Sequence, residues 1–481
     1  MNLTKQMTRA LLAGSAIAMV AAFPAGAETL QEAMAMAYQG NPNLLAARAQ
    51  LRATDEQVPI AISGWRPTLT VNGVLSRNRS ETIIPSGTSG PGTVTAAGTT
   101  LRTQETIVGQ FTQPLFRGFK TVAGTAQAND QVMAQRARLQ ATEAAVLLQV
   151  ATSYFDVLEF QAVVELNRNQ VQVLGRQLEA TNDRFRVGEI TRTDVAQSEA
   201  SLAGARAALV QAEGLLQQAR SAYENVVGKP PENLVQPALP ANLPTSLDLA
   251  VSTAVAENPN YVAADYTAKA ADENVTVVRG DLLPTVNVIG QYTRGWNTVA
   301  NDSKTEAMVA QAQLVVPLYQ SGAEYARLRQ AKHQAGQSRS LADQAKLDAR
   351  NLATTAWESF QSNTAQNTSF ASQISANEIA LEGTQREAEV GSRTVLDVLN
   401  AEQILLNSRV NLVRSQHDQA VAAHQLLSAM GALSAEDLGL SVPLYDPVAH
   451  YNDVKYKAFG SDSAAAADAD HRPLQSDAQS R

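Results

Sequence analysis

Two short motifs contain the charged and polar residues whose types and spacing could do chemistry. Residues 187–195 read Val-Gly-Glu-Ile-Thr-Arg-Thr-Asp-Val, and residues 390–398 read Val-Gly-Ser-Arg-Thr-Val-Leu-Asp-Val. Aligned without a gap, the copies share Val-Gly, then a Thr, and then Asp-Val three residues later. The chain has no G-x-S-x-G nucleophile motif and no phosphate-binding loop. The residues of these motifs could therefore act through their charge and shape. An enzyme is the weakest interpretation of the sequence.

Each motif has the composition of a hinge between two helices. Gly188 and Gly391 can adopt a positive φ and end the preceding helix. A threonine three residues later can cap the next helix, with an acid three residues further on as a variant of the capping box. These threonine–acid pairs are Thr191 with Asp194 and Thr394 with Asp397. The sequence therefore predicts the tip of a helical hairpin at each motif.

Apolar residues recur at every seventh position around the motifs. They are Val150, Val157, Val164, Val171, Leu178 and Phe185 before the first tip, Val195, Leu202, Leu209, Leu216 and Tyr223 after it, and Val398, Leu405, Leu412 and Leu426 after the second, interrupted by Gln419. A sustained seven-residue period is typical of coiled-coil packing. We therefore expect two antiparallel hairpins, with helices of about 70 residues leading to the tips and return helices of about 36.

Composition restricts the class of partner and cofactor. The 481 residues carry 38 Lys and Arg against 46 Asp and Glu, without a block dense in Lys or Arg. This balance argues against nucleic acid as a partner. The absence of cysteine excludes disulfides, thiolate catalysis and cysteine-ligated zinc. His417 and His424 lie seven residues apart on one predicted helix without a third ligand nearby, so the sequence predicts no metal site and no cofactor.

The N-terminus reads as a secretory signal peptide. Lys5 and Arg9 supply the positive start, residues 10–23 are apolar, and the Ala-Gly-Ala that ends at Ala27 fits a cleavage site. The apolar run of about 14 residues is shorter than the roughly 20 that a spanning helix needs. We therefore expect cleavage between Ala27 and Glu28 and a mature chain in an extracytoplasmic compartment.

Alternating strands separate the N-terminal helical region from the first hairpin. The helical region is interrupted at Asn41-Pro42-Asn43 and ends at Pro67. Residues 68–77 and about 103–113 alternate apolar and polar side chains, and the second strand closes at Pro114. Between them, residues 80–100 are rich in Gly, Ser and Thr, which predicts a loop.

The same order of motifs then occurs a second time. Pro259 and Pro284 lie 217 residues after Pro42 and Pro67, whereas Pro317 and Gly391 lie 203 residues after Pro114 and Gly188. The difference falls in the predicted loop, where an insertion is tolerated. The sequence therefore predicts a signal peptide over 1–27, repeat 1 over 28–227, a proline-rich linker over 228–247, repeat 2 over 248–440 and a disordered tail over 441–481.

The predicted strands have one apolar and one polar face. Leu69, Val71 and Leu75 lie on one side of the first strand, and Val286 and Val288 lie on one side of the third. Strands of about ten residues with this pattern are typical of an outer-membrane barrel, for which about eight strands is the minimum. Four strands per chain therefore require an oligomer. Two ordinary hairpins packed on a soluble core remain the alternative.

This order of elements, twice over behind a signal peptide, resembles the TolC family of outer-membrane channel proteins across residues 28–440. The motifs that carry the resemblance are the paired Asn-Pro-Asn segments, Pro-Leu-Phe at 114–116, Pro-Leu-Tyr at 317–319 and, above all, residues 390–399. The resemblance implies a mainly α fold with a membrane β-barrel: a homotrimer whose four strands per chain complete a twelve-stranded barrel in the outer membrane. The helices would form an α-barrel across the periplasm of a Gram-negative cell. Strand and helix would meet at Pro67, Pro114, Pro284 and Pro317.

The family implies a passive exit duct of a tripartite efflux or type I secretion system. Its partners would be a periplasmic adaptor (membrane fusion) protein, an inner-membrane RND pump or ABC transporter, and outer-membrane lipid. The tip residues that would dock the adaptor are Val187, Gly188, Thr191, Val390, Gly391 and Thr394. Drug efflux and protein secretion stay open, and a periplasmic coiled-coil scaffold or adaptor without a pore is the alternative function.

The resemblance also implies a gate at the tips. Arg393 takes the place of the gate arginine, with Thr193 and Asp194 on a neighbouring helix pair as its expected partners. Asp397 matches the outer of two acid rings, and Asn400 stands where some members carry the second aspartate. This departure implies a weaker cation selectivity at the constriction. The alternative is that both acids are simple helix caps and Arg393 is a solvated loop residue.

Overall fold

The computed structural model describes residues 28–84 and 96–461. The predicted signal peptide, residues 85–95 of the predicted loop and residues 462–481 of the predicted tail lie outside these ranges. The elements follow in the order α1 (Leu30–Gly40), α2 (Pro42–Asp55), α3 (Gln57–Ile62), β1 (Thr68–Ile84), β2 (Ala96–Arg117), α4 (Lys120–Arg186), α5 (Arg192–Val227), α6 (Leu247–Glu257), α7 (Pro259–Arg279), β3 (Thr285–Trp296), β4 (Lys304–Val315), α8 (Ala323–Glu389), α9 (Val395–Ala429) and α10 (Ala449–Val454).

The two predicted hairpins are confirmed. Helices α4 and α8 each contain 67 residues, which corresponds to about 100 Å at 1.5 Å per residue. The return helices α5 and α9 contain 36 and 35 residues and pack against α4 and α8, respectively. None of the helices in the described ranges combines the length and the apolar character needed to cross a membrane.

The seven-residue pattern marks the buried side of the first hairpin. Val150, Val157 and Val164 of α4 are buried, together with Leu216 and Tyr223 of α5. They belong to one apolar core to which α1, α2 and α9 also contribute. Burial of this side, rather than intrinsic helix propensity, stabilises helices of such length in a folded chain.

The second hairpin packs its long helix through alanines. Ala335, Ala342, Ala349 and Ala356 recur every seventh residue of α8 and are all buried. Small side chains let neighbouring helices approach closely, and α8 accordingly contacts α6 and α7 as well as α9. Helix α7 also packs against α4, so the shorter helices of repeat 2 link the two hairpins.

The Asn-Pro-Asn motifs tie helix ends together in both repeats. The Asn41 side chain accepts from the Asn43 N–H at 3.0 Å and caps α2, while its Nδ2 donates to the carbonyl of Val226 at 3.1 Å. Asn258 caps α7 in the same way and donates to the carbonyl of Ala429 at 2.9 Å. In each repeat, one buried asparagine side chain thus accepts from a backbone N–H at the start of one helix and donates to a backbone carbonyl at the end of the return helix.

The strands form one antiparallel sheet in the order β1-β2-β3-β4. Strands β1 and β2 are longer than predicted, because pairing continues from Ser80 opposite Thr100 to Ile84 opposite Ala96. The prediction of a loop over 80–100 was therefore wrong at both ends. Threonine and isoleucine favour extended pairing, and this preference outweighs the turn signal of the nearby glycines and serines.

Three of the four prolines lie at the predicted junctions. Pro67 and Pro284 directly precede β1 and β3, and Pro317 follows β4. The prediction for Pro114 was wrong, because β2 continues through it to Arg117 with an irregularity in its pairing to β3 between Pro114 and Phe116. The ladder with β1 has already ended at Thr112, so the proline stands where one edge of β2 has no paired strand in the part of the chain that the structure describes, and a missing N–H is tolerated there.

Residues 441–457 contain a helix and contact the rest of the chain, which corrects the predicted disorder of this part of the tail. Helix α10 lies against α2, and Val454 is buried. The Tyr451 hydroxyl donates to Asn129 of α4 at 2.9 Å, and the Arg66 guanidinium donates to the carbonyls of Tyr456 and Lys457. These contacts join residues distant in sequence, so the polar composition of the segment gave no signal of them.

Candidate functional site

The first tip is built by a glycine and a complete capping box. Gly188 has φ +83°, and its N–H donates to the carbonyl of Phe185. The Asp194 carboxylate accepts from the Thr191 N–H at 2.9 Å and from the Thr191 hydroxyl at 2.7 Å, while the Asp194 N–H donates back to Thr191 Oγ1. These hydrogen bonds, the hydroxyl first, lower the pKa of Asp194. The carboxylate therefore stays charged at neutral pH.

The second tip repeats this arrangement. Gly391 has φ +79°, and Asp397 accepts from the Thr394 N–H at 3.0 Å and from its hydroxyl at 2.8 Å. The backbone hydrogen bond and then the hydroxyl lower the pKa of Asp397. Local chemistry therefore confirms both predicted caps. Val187 is 72% exposed and Val390 81% exposed, so each tip presents an apolar side chain to solvent in the single chain.

Within one chain, the predicted gate residues are only partly brought together. Arg393 Nε lies 2.9 Å from Glu387 Oε2 of its own hairpin, and Glu387 followed by Asp397 raises the pKa of Arg393. Among the described residues, the ion pair of Arg393 is with Glu387 rather than with Asp194. Thr193 and Asn400 are both exposed, so the side chains that could face another copy remain available.

An apolar contact above the tips joins the two hairpins. Leu174 of α4 and Leu202 of α5 form one buried cluster with Val395 and Leu399 of α9. The sequence pattern marked Leu202 as part of a seam, but it gave no sign that α9 inserts against the first hairpin. Movement of one tip relative to the other must therefore rearrange this cluster or rotate about it.

A polar cluster between α4 and α9 was missed by the sequence. His417 Nε2 lies 2.9 Å from Asp156 Oδ1, and its Nδ1 lies 2.9 Å from Asp418 Oδ1 and 3.6 Å from Glu159 Oε2. Burial alone would lower the pKa of His417, but these carboxylates raise it to about 9. The sequence predicted no further ligand-type side chain near His417. Asp156 and Glu159 of repeat 1 lie beside it, because the fold packs α4 against α9.

His424 lies two turns further along α9 and is buried. Its Nδ1 bonds the carbonyl of Ala420 at 2.8 Å, its ring packs 5.6 Å from the ring of Phe155, and burial lowers its pKa. A buried neutral imidazole binds its proton more weakly than the unfolded chain does. The contribution of His424 to stability is therefore complete above its unfolded pKa of about 6.5 and is lost as the pH falls below that value.

We expect His424→Gln to become more stable relative to wild type as the pH is lowered from 7.5 to 5.5, because the variant lacks the destabilising titration of His424, whereas the opposite contribution of His417, whose pKa is raised, is common to both proteins. The free energy of unfolding changes by at most about 1.4 kcal/mol per pH unit for one proton. Melting temperatures followed by circular dichroism at both pH values measure the difference. The other histidines are common to both proteins. An equal change in melting temperature between the two pH values in wild type and variant would therefore contradict the lowered pKa of His424.

The hairpins and the sheet together define the class of the protein. Two long hairpins with exposed tips, joined to an open-edged antiparallel sheet, are the parts of an outer-membrane channel subunit. A family model described as outer membrane efflux protein matches residues 33–229 and 250–432. The chain therefore belongs to the outer membrane efflux protein family.

Individual relatives agree with this assignment. The chain is 35% identical over 452 residues to the outer membrane efflux protein BepC of Brucella suis, covering 94% of this chain and 95% of BepC. It is 26% identical to the outer membrane protein TolC of Vibrio cholerae, covering 86% and 92%. The crystal structure of the outer membrane protein VceC of Vibrio cholerae shares the fold, with a TM-score of 0.73, 21% identity and coverage of 84% and 96%.

Membership of this family fixes the location and the general role. The resemblance to TolC proteins is confirmed, and the chain is an outer-membrane exit duct whose helices extend into the periplasm. The family is one of channel proteins. The mainly helical fold with a four-stranded antiparallel sheet is that of its structural neighbours.

Proposed function

We propose that three copies of the chain form a continuous passive duct, closed at the hairpin tips and opened when an adaptor docks there. The sheet carries this proposal. Among residues 28–84 and 96–461, β1 pairs only with β2 and β4 only with β3, so both outer edges of the sheet carry backbone groups that no strand in these ranges pairs. Such groups are not tolerated in lipid, and edge-to-edge closure with other copies satisfies them. Three sheets of four strands give twelve, within the even-numbered range of about 8 to 26 that such barrels use.

One face of the sheet supports its placement against lipid. Val71, Gly109, Tyr292 and Met308 stand opposite one another across the four strands, and Leu69 and Phe111 form part of the next row. Val71 is 70% exposed and Met308 85% exposed in the single chain. A contiguous apolar face of this kind is costly in water, and contact with hydrocarbon removes that cost.

The tips are the proposed site of closure and docking. Asp194, Asp397 and Arg393 place charges at the end of each copy, and the three copies would arrange them in rings around the tunnel axis. Exposed Val187 and Val390 offer apolar anchors for the hairpins of a periplasmic adaptor. An RND pump or an ABC transporter of the inner membrane would supply the energy for transport through the duct.

Detergent-purified protein in a planar bilayer tests this function. We expect stable, discrete conductance steps, and chemical cross-linking in detergent that stops at three chains. Folded protein, verified by its helical circular dichroism, that gives no conductance and remains monomeric would contradict the duct and favour a scaffold. Outer-membrane fractionation of the expressing cells provides an independent control for location.

A further inference from the structure

Helices from different repeats bring a set of metal-binding side chains together in mid-hairpin. Asp156 and Glu159 are three residues apart on α4, a spacing that places both on one side of the helix. His417 faces them from α9. One potential ligand atom from each of the three lies within 4.8 Å of the other two. Small side-chain rotations from this arrangement reach the separations that a shared ion requires, since metal–ligand distances are about 2.0–2.2 Å.

The histidine ring is held in the orientation that a metal ligand needs. Asp418 Oδ1 lies 2.9 Å from His417 Nδ1, so this carboxylate accepts the Nδ1 proton, and Nε2 becomes the ligand atom when a metal ion displaces its proton. Nε2 lies on the side of Asp156, 2.9 Å from Oδ1. A carboxylate behind the imidazole is the usual outer-shell partner of metal-binding histidine, and it fixes both the tautomer and the ring plane.

The charges around the histidine favour a further cation. Glu159 is only 11% exposed, and its carboxylate lies 3.6 Å from both Arg414 Nε and His417 Nδ1, longer than a hydrogen bond in each direction. Asp156, Glu159 and Asp418 place three carboxylates around the imidazole, against two cations, the Arg414 guanidinium and the protonated ring of His417, whose Nε2 proton a metal ion would displace. Mostly buried carboxylates are costly unless they are paired or coordinate a metal.

We propose that Asp156, Glu159 and His417 bind a divalent transition-metal ion of the Zn²⁺ class. One imidazole and two carboxylates suit Zn²⁺ better than Ca²⁺ or Mg²⁺, which take oxygen ligands, and soft ions such as Cu⁺ would require sulfur. A fourth position is left for water. The ion would join α4 of repeat 1 to α9 of repeat 2 midway along the hairpins, and this site is independent of the duct function proposed above.

The experiment uses full-length protein purified in detergent, stripped with EDTA and dialysed against micromolar ZnCl₂ at pH 7.5. The variants are His417→Gln, Glu159→Gln and Asp418→Asn, with His333→Gln as the matched control because His333 is exposed on α8. Bound zinc is measured by elemental analysis, affinity by calorimetry, and helix content by circular dichroism. A Co²⁺ absorption spectrum reports coordination by the site directly.

We expect one zinc per chain in wild type and in His333→Gln. Asp418→Asn should weaken binding about 10- to 100-fold, as is typical of outer-shell partners, and the two ligand variants should lose stoichiometric binding. If His417→Gln fails to fold, the isosteric Glu159→Gln decides. Equal zinc in wild type and all folded variants, or no stoichiometric zinc in wild type, would overturn the proposal and leave the cluster as an ion-pair network.

Discussion

Gly431→Ala is expected to destabilise the protein far more than Gly228→Ala, although the two glycines end equivalent helices in the two repeats. Gly228 has φ +88° and Gly431 has φ +77°, so either alanine is strained by about 1–2 kcal/mol. A Cβ at position 228 would meet no atom within 4 Å. A Cβ at position 431 would lie 2.5 Å from the carbonyl oxygen of Glu257 and 3.1 Å from its carbon.

The clash at position 431 cannot be relieved by a side chain. Glu257 is the last residue of α6 and directly precedes Asn258, whose amide caps α7 and bonds the carbonyl of Ala429. Displacing this backbone therefore strains the junction that joins three helices. Overpacking typically costs a further 1–3 kcal/mol, which brings the expected loss for Gly431→Ala to about 2–5 kcal/mol.

Thermal unfolding of the two purified variants, followed by circular dichroism in the same detergent, measures the difference. We expect a decrease in melting temperature for Gly228→Ala and a decrease about twice as large for Gly431→Ala, or the failure of Gly431→Ala to accumulate. Equal decreases would mean that α6 moves freely away from the α9 terminus and would contradict the close approach described here.

The parts of the fold that the sequence predicted depend on local chemistry. The glycine and the capping box at each tip involve residues within seven positions of one another, and the seven-residue period states directly which side of a helix is buried. Because the internal repeat contains each motif twice, the structure predicted for one copy could be checked against the other. The presence of strands was predictable, because their apolar and polar residues alternate in the sequence. The length of each strand was not, because it depends on which residues of the neighbouring strand are available for pairing.

The parts that were missed depend on distant neighbours. The sequence predicted that Pro114 ends a strand. Strand β2 instead continues through Pro114, because its pairing with β1 has ended by that position. Tyr451 and Val454 lie in a segment of polar composition, and their partners come from helices more than 300 residues earlier. The acidic neighbours of His417 were missed because Asp156 and Glu159 belong to the other repeat. No periodicity or motif encodes these contacts, since each requires the folded arrangement of both repeats.

Combining Arg393→Ala with Asp194→Asn is expected to increase the closed-state conductance of the duct. In the single chain Arg393 is paired with Glu387, and Asp194 is occupied by the cap at Thr191. Both side chains nevertheless have capacity for a second partner, since a guanidinium has five N–H donors and a carboxylate about four acceptor sites. Contacts between copies at the tips would use this capacity, and the double variant removes both charges.

Asparagine rather than alanine at position 194 separates gating from capping. Its side-chain oxygen can still accept from the Thr191 N–H, so the helix start is retained while the charge is lost. Arg186→Ala is the matched control, because it removes an arginine at the end of α4 that pairs with Asp183, 2.9 Å away, and lies outside the proposed gate. Planar-bilayer recording of these proteins beside wild type measures the closed level at fixed salt and voltage.

Glu387→Gln should act in the opposite direction to the double variant. Within the hairpin Glu387 holds Arg393 back from a neighbouring copy, so its neutralisation frees the guanidinium for Asp194 and should lower the leak. High salt should weaken both effects, because exposed charges are screened within about 8–10 Å at physiological ionic strength. If the closed level is unchanged in the Arg393→Ala/Asp194→Asn variant, the tip acids are helix caps alone, and the charges of Arg393 and Asp194 do not hold the duct closed.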